Sequence, residues 1–115
     1  MERIFKAFLN SMRGLRWGFV NEPALRQELI LLAIGLPLAA LIAPNLLWFA
    51  LMLSGLLLLL AVELLNTGLE KLCDFITAGR HETIGAVKDM GSAAVFCLLA
   101  LNAGLWGWAA WMKLT

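Results

Sequence analysis

Three uncharged apolar stretches limit how this chain can fold. Residues 29–43, 46–62 and 91–112 contain no Asp, Glu, Lys or Arg. A helix needs roughly 20 apolar residues to cross a hydrocarbon core of about 30 Å, so the first stretch is short and the other two approach or reach that length. Only 15% of the 115 residues are charged and 62% are hydrophobic, which leaves too little charge for a water-facing surface. The sequence therefore predicts an all-α integral membrane protein.

The breaks between these stretches predict one membrane-embedded domain, residues 1–115, with three spans. The spans are expected at about 29–43, 46–65 and 91–112. Pro44-Asn45 predicts a tight turn between the first two spans. The second helix is expected to continue past Cys73, and residues 77–86 are expected to form a loop before the third span.

The N-terminal segment, residues 1–20, predicts an amphipathic helix. Its apolar side chains recur at helical spacing, with most basic and polar ones on the other side: Ile4, Phe5, Phe8, Leu9, Met12 and Leu15 against Arg3, Lys6, Asn10 and Arg13. This pattern is typical of a helix that lies in the headgroup layer, although a packing helix would share it. Pro23 then predicts a break and a new helix start.

The positive charges predict the orientation in the membrane. Eight of the nine Lys and Arg residues lie before the first span or between the second and third spans. The positive-inside rule then assigns the N-terminus to the cytoplasm and the C-terminus to the outside. Four tryptophans agree, since they fall at the expected outer ends of the spans: Trp48, Trp106, Trp108 and Trp111.

All eight carboxylates fall on the expected inner side, and the second helix carries the most ordered group of polar residues. Glu63, Asn66, Glu70 and Asp74 are spaced by three, four and four residues, which places them within an arc of about 80° on a helix. We call these four residues the polar stripe. Such a stripe needs neutralisation by a divalent cation such as magnesium, by protons or by basic partners. The alternative is a set of snorkelling or helix-packing side chains.

A second polar group, Lys88-Asp89 with Ser92, opens the third span. A lysine there could pair with a phosphate or could simply anchor the helix at the interface. The chain has no GxxxxGK[ST] loop, no protein-kinase motif set and no HExxH, and His81 is its one histidine. With a net charge of +1, no nucleic-acid partner is expected. Any chemistry must use carboxylates, an amide and basic side chains near the lipid surface.

Three blocks of the sequence resemble one family. The segment VELLNTGLEKLCD, from Val62 to Asp74, is similar to the E-x-x-N-x-x-x-E-x-x-x-D signature of prokaryotic diacylglycerol kinases. The segments KDMGSAAV, from Lys88, and NEPALRQE, from Asn21, resemble two further blocks of the family in the right order. The resemblance covers nearly the whole chain. It implies a homotrimer that transfers the γ-phosphoryl group of Mg-ATP to diacylglycerol, which gives phosphatidic acid.

The resemblance also implies residue roles. Glu63 would be the general base on the lipid hydroxyl, with Asn66 supporting the reacting centre. Glu22 and Glu70 would hold Mg²⁺ and, through it, the nucleotide. The remaining implied roles are nucleotide contacts for Lys88, Asp89, Arg3 and His81, a lipid contact for Ser92, and supporting polar positions for Glu28 and Asp74.

One departure and two alternatives remain. The family would place an acidic and an aromatic residue before His81, where this chain has Gly79 and Arg80. A polyprenol (undecaprenol) kinase of the same fold would carry the same stripe, although the GSAA segment favours the diacylglycerol type. A non-enzymatic transporter or assembly protein would explain the spans but not the aligned polar stripe.

Overall fold

The computed structural model describes residues 1–77, 79 and 81–115, and this part of the chain is helical apart from short connections. The helices are α1 (Glu2–Asn21), α2 (Pro23–Ile42), α3 (Leu46–Ile76) and α4 (Glu82–Leu114). Helices α2, α3 and α4 are long and apolar enough to cross a membrane. The predicted all-α class with three spans and an N-terminal helix is confirmed.

The junction between α1 and α2 is a single extended residue, Glu22. Pro23 occupies the first turn of α2, where its missing N–H costs no helical hydrogen bond. Arg26 closes the end of α1, because its Nε donates to the Phe19 carbonyl at 2.9 Å and its Nη2 to the Val20 carbonyl at 3.0 Å. The helix start predicted at Pro23 is confirmed.

The turn between α2 and α3 falls at residues 43–45, as Pro44-Asn45 predicted. The Asn45 side chain accepts a hydrogen bond from the Trp48 backbone N–H at 3.0 Å and so caps α3. Helix α3 runs on past Cys73 to Ile76, which was also expected.

Helix α4 begins earlier than the sequence indicated. Residues 77–86 were expected to form a loop, but α4 starts at Glu82, so the second half of that prediction is wrong. The physical reason is a cap: His81 Nδ1 accepts a hydrogen bond from the Thr83 backbone N–H at 3.2 Å. Glu82 in the first turn also carries the charge that a helix N-terminus favours.

Helix α3 is the centre of the packing, with α4 along one side and α2 along another, while α1 packs on α2. A small core joins the three long helices through Ala39, Met52 and Ala109. Most large apolar side chains point away from this core and are exposed. This arrangement suits a bilayer, because lipid tails accept apolar side chains at no cost.

Candidate active site

The polar stripe lies where α3 leaves the apolar part of the structure. Its 31 residues give a helix of about 46 Å, which is longer than a hydrocarbon core of about 30 Å. Exposure rises along the stripe: Glu63 is 9% and Asn66 8% exposed, Glu70 is half-buried and Asp74 is exposed. The stripe therefore runs from the packed interior at Glu63 to an open surface at Asp74.

Glu63 lies within electrostatic range of three other carboxylates, which come from α2, α3 and the α1–α2 junction. Glu70 and Glu22 are both close enough to act electrostatically on the Glu63 carboxylate. Glu63 in turn acts on Glu28 of α2, whose Oε2 is buried with no hydrogen-bond partner among the described residues. Like charges within this range repel each other, so this group of carboxylates favours a bound cation or proton.

Lys71 supplies one counter-charge that the sequence reasoning did not assign. Its Nζ lies 2.7 Å from Glu22 Oε1 and so ties the α1–α2 junction to α3. Lys71 is adjacent to Glu70 but off the polar stripe, which is why helical spacing alone did not indicate it. Thr67, which is buried beside Glu63, could have been found, because it follows Glu63 by four residues.

The Asn66 amide lies between Glu70 and α4. Its Nδ2 donates to Glu70 Oε1 at 3.2 Å. On the other side, a Cβ built on Gly91 would overlap Asn66 Oδ1, so the amide rests directly on the α4 backbone. Asn66 is therefore held on both sides, beside a carboxylate that the family resemblance implies as a metal ligand.

Lys88 and Asp74 join the open end of the stripe to α4. Lys88 Nζ lies 2.5 Å from Asp74 Oδ1. Beside this pair is an open cleft of about 670 Å³, to whose lining Lys88, Asp89 and His81 all contribute. Three of the four residues expected to contact the nucleotide directly thus share one cleft next to the stripe.

Two predicted site residues lie apart from this group. Arg3 is exposed near the start of α1, where it lines a separate shallow cleft with Lys6 and Asn10. Ser92 is on an exposed face of α4. Of the two residues that differ from the family pattern before His81, Gly79 lines the cleft beside Lys88, whereas Arg80 lies outside the described residues.

The donor set fits magnesium that is shared with a phosphate ligand. Within residues 1–77, 79 and 81–115, no three Asp, Glu, His or Cys side chains are grouped as a metal cage. Magnesium is commonly held by one or two carboxylates together with phosphate oxygens and water. Glu22 and Glu70, which both act on Glu63, could supply two such carboxylates.

An apolar cleft of about 350 Å³ separates α1 from α3 near the buried end of the stripe. Leu15 and Gly14 line one wall, and Leu60 and Leu64 line the other. These leucines belong to the same turns of α3 as Glu63. The cleft could therefore accept an alkyl chain at the depth of the Glu63 carboxylate.

Comparison with known proteins shows the family to which the sequence is similar. The family model described as prokaryotic diacylglycerol kinase matches residues 9–110. The chain is 41% identical to diacylglycerol kinase of Haemophilus influenzae over 97 residues, 84% of this chain and 82% of that protein. It is 36% identical to the enzyme of Escherichia coli K12 over 104 residues (90% and 85%) and 37% to that of Pseudomonas aeruginosa over 106 residues (92% and 86%). The matched region contains every predicted site residue except Arg3.

Proposed function

The chain belongs to the prokaryotic diacylglycerol kinase family, and from that membership we propose that it phosphorylates diacylglycerol with ATP to give phosphatidic acid. The structural observation that best supports this activity is the buried Glu63 carboxylate, which lies within electrostatic range of three other carboxylates and at the depth of an apolar cleft. A base at that depth can meet a lipid hydroxyl while the acyl chains stay in the membrane.

The proposed reaction is a single in-line transfer. Glu63 accepts the proton of the diacylglycerol hydroxyl while the hydroxyl oxygen attacks the γ-phosphorus of ATP. The bond between the γ-phosphorus and the bridging oxygen breaks, and ADP leaves. Such a step asks the protein mainly for positioning and charge neutralisation. Asn66 supports the reacting centre through its contact with Glu70.

The nucleotide is proposed to bind in the cleft that Lys88, Asp89 and His81 line. Lys88 would exchange its contact with Asp74 for a phosphate, and Asp74 would remain a supporting carboxylate. Glu22 and Glu70 would hold Mg²⁺, which when bound neutralises phosphate charge. Glu22 would have to loosen its ion pair with Lys71 to do so. Arg3 would reach the nucleotide only if α1 of this or another copy approached the cleft.

We further propose a homotrimer in the inner (cytoplasmic) membrane, with the N-terminus in the cytoplasm and the C-terminus outside. Support comes from the long exposed apolar faces and from the small exposed residues Ser92, Ala93 and Ala94, which would allow another helix to approach α4 closely. Ser92 would then face lipid or a neighbouring copy, whereas Glu28, whose Oε2 is buried, would remain a supporting polar residue beside Glu63. Cross-linking to a trimeric band, and labelling of a Thr115→Cys variant by an impermeant thiol reagent in intact cells, would test these two points.

The direct test of the activity is transfer of labelled phosphate. Purified protein in lipid receives γ-labelled ATP, magnesium and either diacylglycerol or undecaprenol. Labelled phosphatidic acid with little labelled polyprenyl phosphate is expected, because the matched relatives are named for diacylglycerol. Preference for undecaprenol would overturn the substrate, and no labelled lipid from a folded oligomer would overturn the kinase proposal.

A further inference from the structure

Two asparagine side chains are buried between α3 and α4, and each lies on a glycine of the other helix. A Cβ built on Gly91 of α4 would overlap Asn66 Oδ1 of α3. In reciprocal fashion, a Cβ on Gly55 of α3 would lie 2.7 Å from Asn102 Oδ1 of α4. The spacing is the same on both helices: eleven residues separate Gly55 from Asn66, and eleven separate Gly91 from Asn102. Since α3 and α4 are antiparallel, each glycine meets the asparagine of the other helix.

The two contacts share the same chemistry. Neither Asn66 Oδ1 nor Asn102 Oδ1 has an N–H or O–H donor in the part of the chain that the structure describes, although both atoms are buried. Each oxygen instead occupies the space into which a side chain would project from glycine, so it faces a glycine Cα–H, a weak donor that recurs between closely packed helices. Asn102 adds a conventional bond, since its Nδ2 donates to the Gly55 carbonyl at 2.9 Å.

Two such contacts fix both the crossing angle and the longitudinal register of α3 and α4, whereas one contact would fix neither fully. Eleven residues correspond to about 16 Å along a helix. A single contact would let α4 pivot on α3, but two contacts this far apart hold both the angle and the longitudinal register. A slip of one helical turn would move both amides off their glycines and onto side chains. Burying an amide without a partner in apolar surroundings is costly, so such a slip is disfavoured.

The register has a consequence at the candidate active site. With Asn66 Oδ1 resting on Gly91, the amide NH₂ group points to Glu70. Lys88 precedes Gly91 by three residues on α4, and in this register its Nζ reaches Asp74. The distant pair, Asn102 with Gly55, therefore helps to determine which α4 residues lie opposite the polar stripe.

We propose that these four residues form a reciprocal asparagine–glycine lock, in which Gly55, Gly91 and Asn102 are positioning residues that place the Asn66 amide and Lys88. The catalytic consequence rests on the proposed kinase function, but the lock itself does not.

Unfolding of the purified protein tests the lock without an activity assay. Gly55→Ala is expected to lower the unfolding midpoint in the wild-type background and to lower it less in an Asn102→Ala background, because the new methyl group then has room. Gly104→Ala is the matched control, since a Cβ there would meet nothing within 4 Å. Additive effects of the Gly55 and Asn102 substitutions, or an equal loss in the Gly104 control, would overturn the lock.

Kinetics test the positioning role. Gly91→Ala should displace the Asn66 amide and lower kcat on the order of 10²-fold, as a misplaced group about 1 Å from its position can. The Gly91→Ala/Asn66→Ala double variant should be no slower than Asn66→Ala alone. Losses that multiply in the double variant would mean that Gly91 acts by general packing and would overturn the proposal.

The contact between Asn102 and Gly55, which is the more distant half of the lock, makes a separate prediction for kcat. Asn102→Ala, measured per folded protein, should lower kcat although Asn102 lies about three turns from Asn66. An unchanged kcat would overturn the register argument. If the wild-type protein transfers no phosphate to diacylglycerol, the proposed function fails, whereas the coupled unfolding of Gly55 and Asn102 variants still decides whether the lock exists.

Discussion

Glu63→Gln separates the chemistry of the candidate site from its structure. Glutamine has nearly the same shape and would keep the packing of a side chain that is only 9% exposed. It cannot accept the hydroxyl proton as a carboxylate does. Positioned general bases contribute about 10²- to 10⁴-fold to rate, or about 3 to 5 kcal/mol, so kcat should fall by that factor. Half-saturating ATP and lipid concentrations should change little.

The same substitution should leave the fold intact or strengthen it. Glu63 lies within electrostatic range of Glu22, Glu28 and Glu70, and neutralising one of these four carboxylates removes repulsion between like charges. The assay combines labelled-phosphate transfer with unfolding and oligomer size in the same preparation. Glu2→Gln, an exposed position at the start of α1, is the matched control and should keep full activity. A fully active Glu63→Gln would refute the assignment of the base, and an inactive but unfolded one would refute the structural reasoning.

Three further predictions follow from individual contacts. Lys71→Ala removes the ammonium that contacts Glu22 Oε1 and should lower the half-saturating Mg²⁺ concentration, by no more than about fivefold because the Lys71 side chain is exposed to solvent screening. Lys113→Ala is the control and should leave the Mg²⁺ requirement unchanged, whereas a higher Mg²⁺ requirement in Lys71→Ala would contradict the assignment of Glu22. Lys88→Ala should raise KM for ATP more than KM for diacylglycerol, and equal changes in both would argue against the nucleotide cleft. Gly18→Ala would place a Cβ 2.6 Å from Leu25 Cδ1 and should destabilise the protein by about 1 kcal/mol. Gly14→Ala, with open space around it, should stabilise helix α1. Equal unfolding midpoints for the two variants would contradict the packing of α1 on α2.

Much of the fold could be predicted because it depends on local patterns. Uncharged stretches gave the three spans, and Pro23 and Pro44-Asn45 marked two of the helix boundaries. The start of α4 was missed because a histidine cap is a weak local signal compared with Ser, Thr, Asp or Asn. Helical spacing aligned the polar stripe correctly.

The contacts between helices could not be predicted from the sequence. The pair Lys71–Glu22 joins residues 49 positions apart, and nothing local in either segment indicates it. The same holds for Asn102, a polar residue in an apolar span whose partner, Gly55, lies 47 positions away on α3. Contacts of this kind depend on the register between helices, which a one-dimensional pattern does not contain.

The charge balance of the site explains why ATP should bind as its complex with Mg²⁺ and not as the free anion. Six carboxylates, those of Glu22, Glu28, Glu63, Glu70, Asp74 and Asp89, belong to the site region, and two ammonium groups, Lys71 and Lys88, each already contact one of them. The region thus keeps a formal excess of negative charge at neutral pH. Free ATP, itself an anion, would be repelled, whereas a divalent cation would be attracted. Lys88 could then leave Asp74 and bind a phosphate, while the cation neutralises the carboxylates. The same change of partners would bind the nucleotide and neutralise the polar stripe.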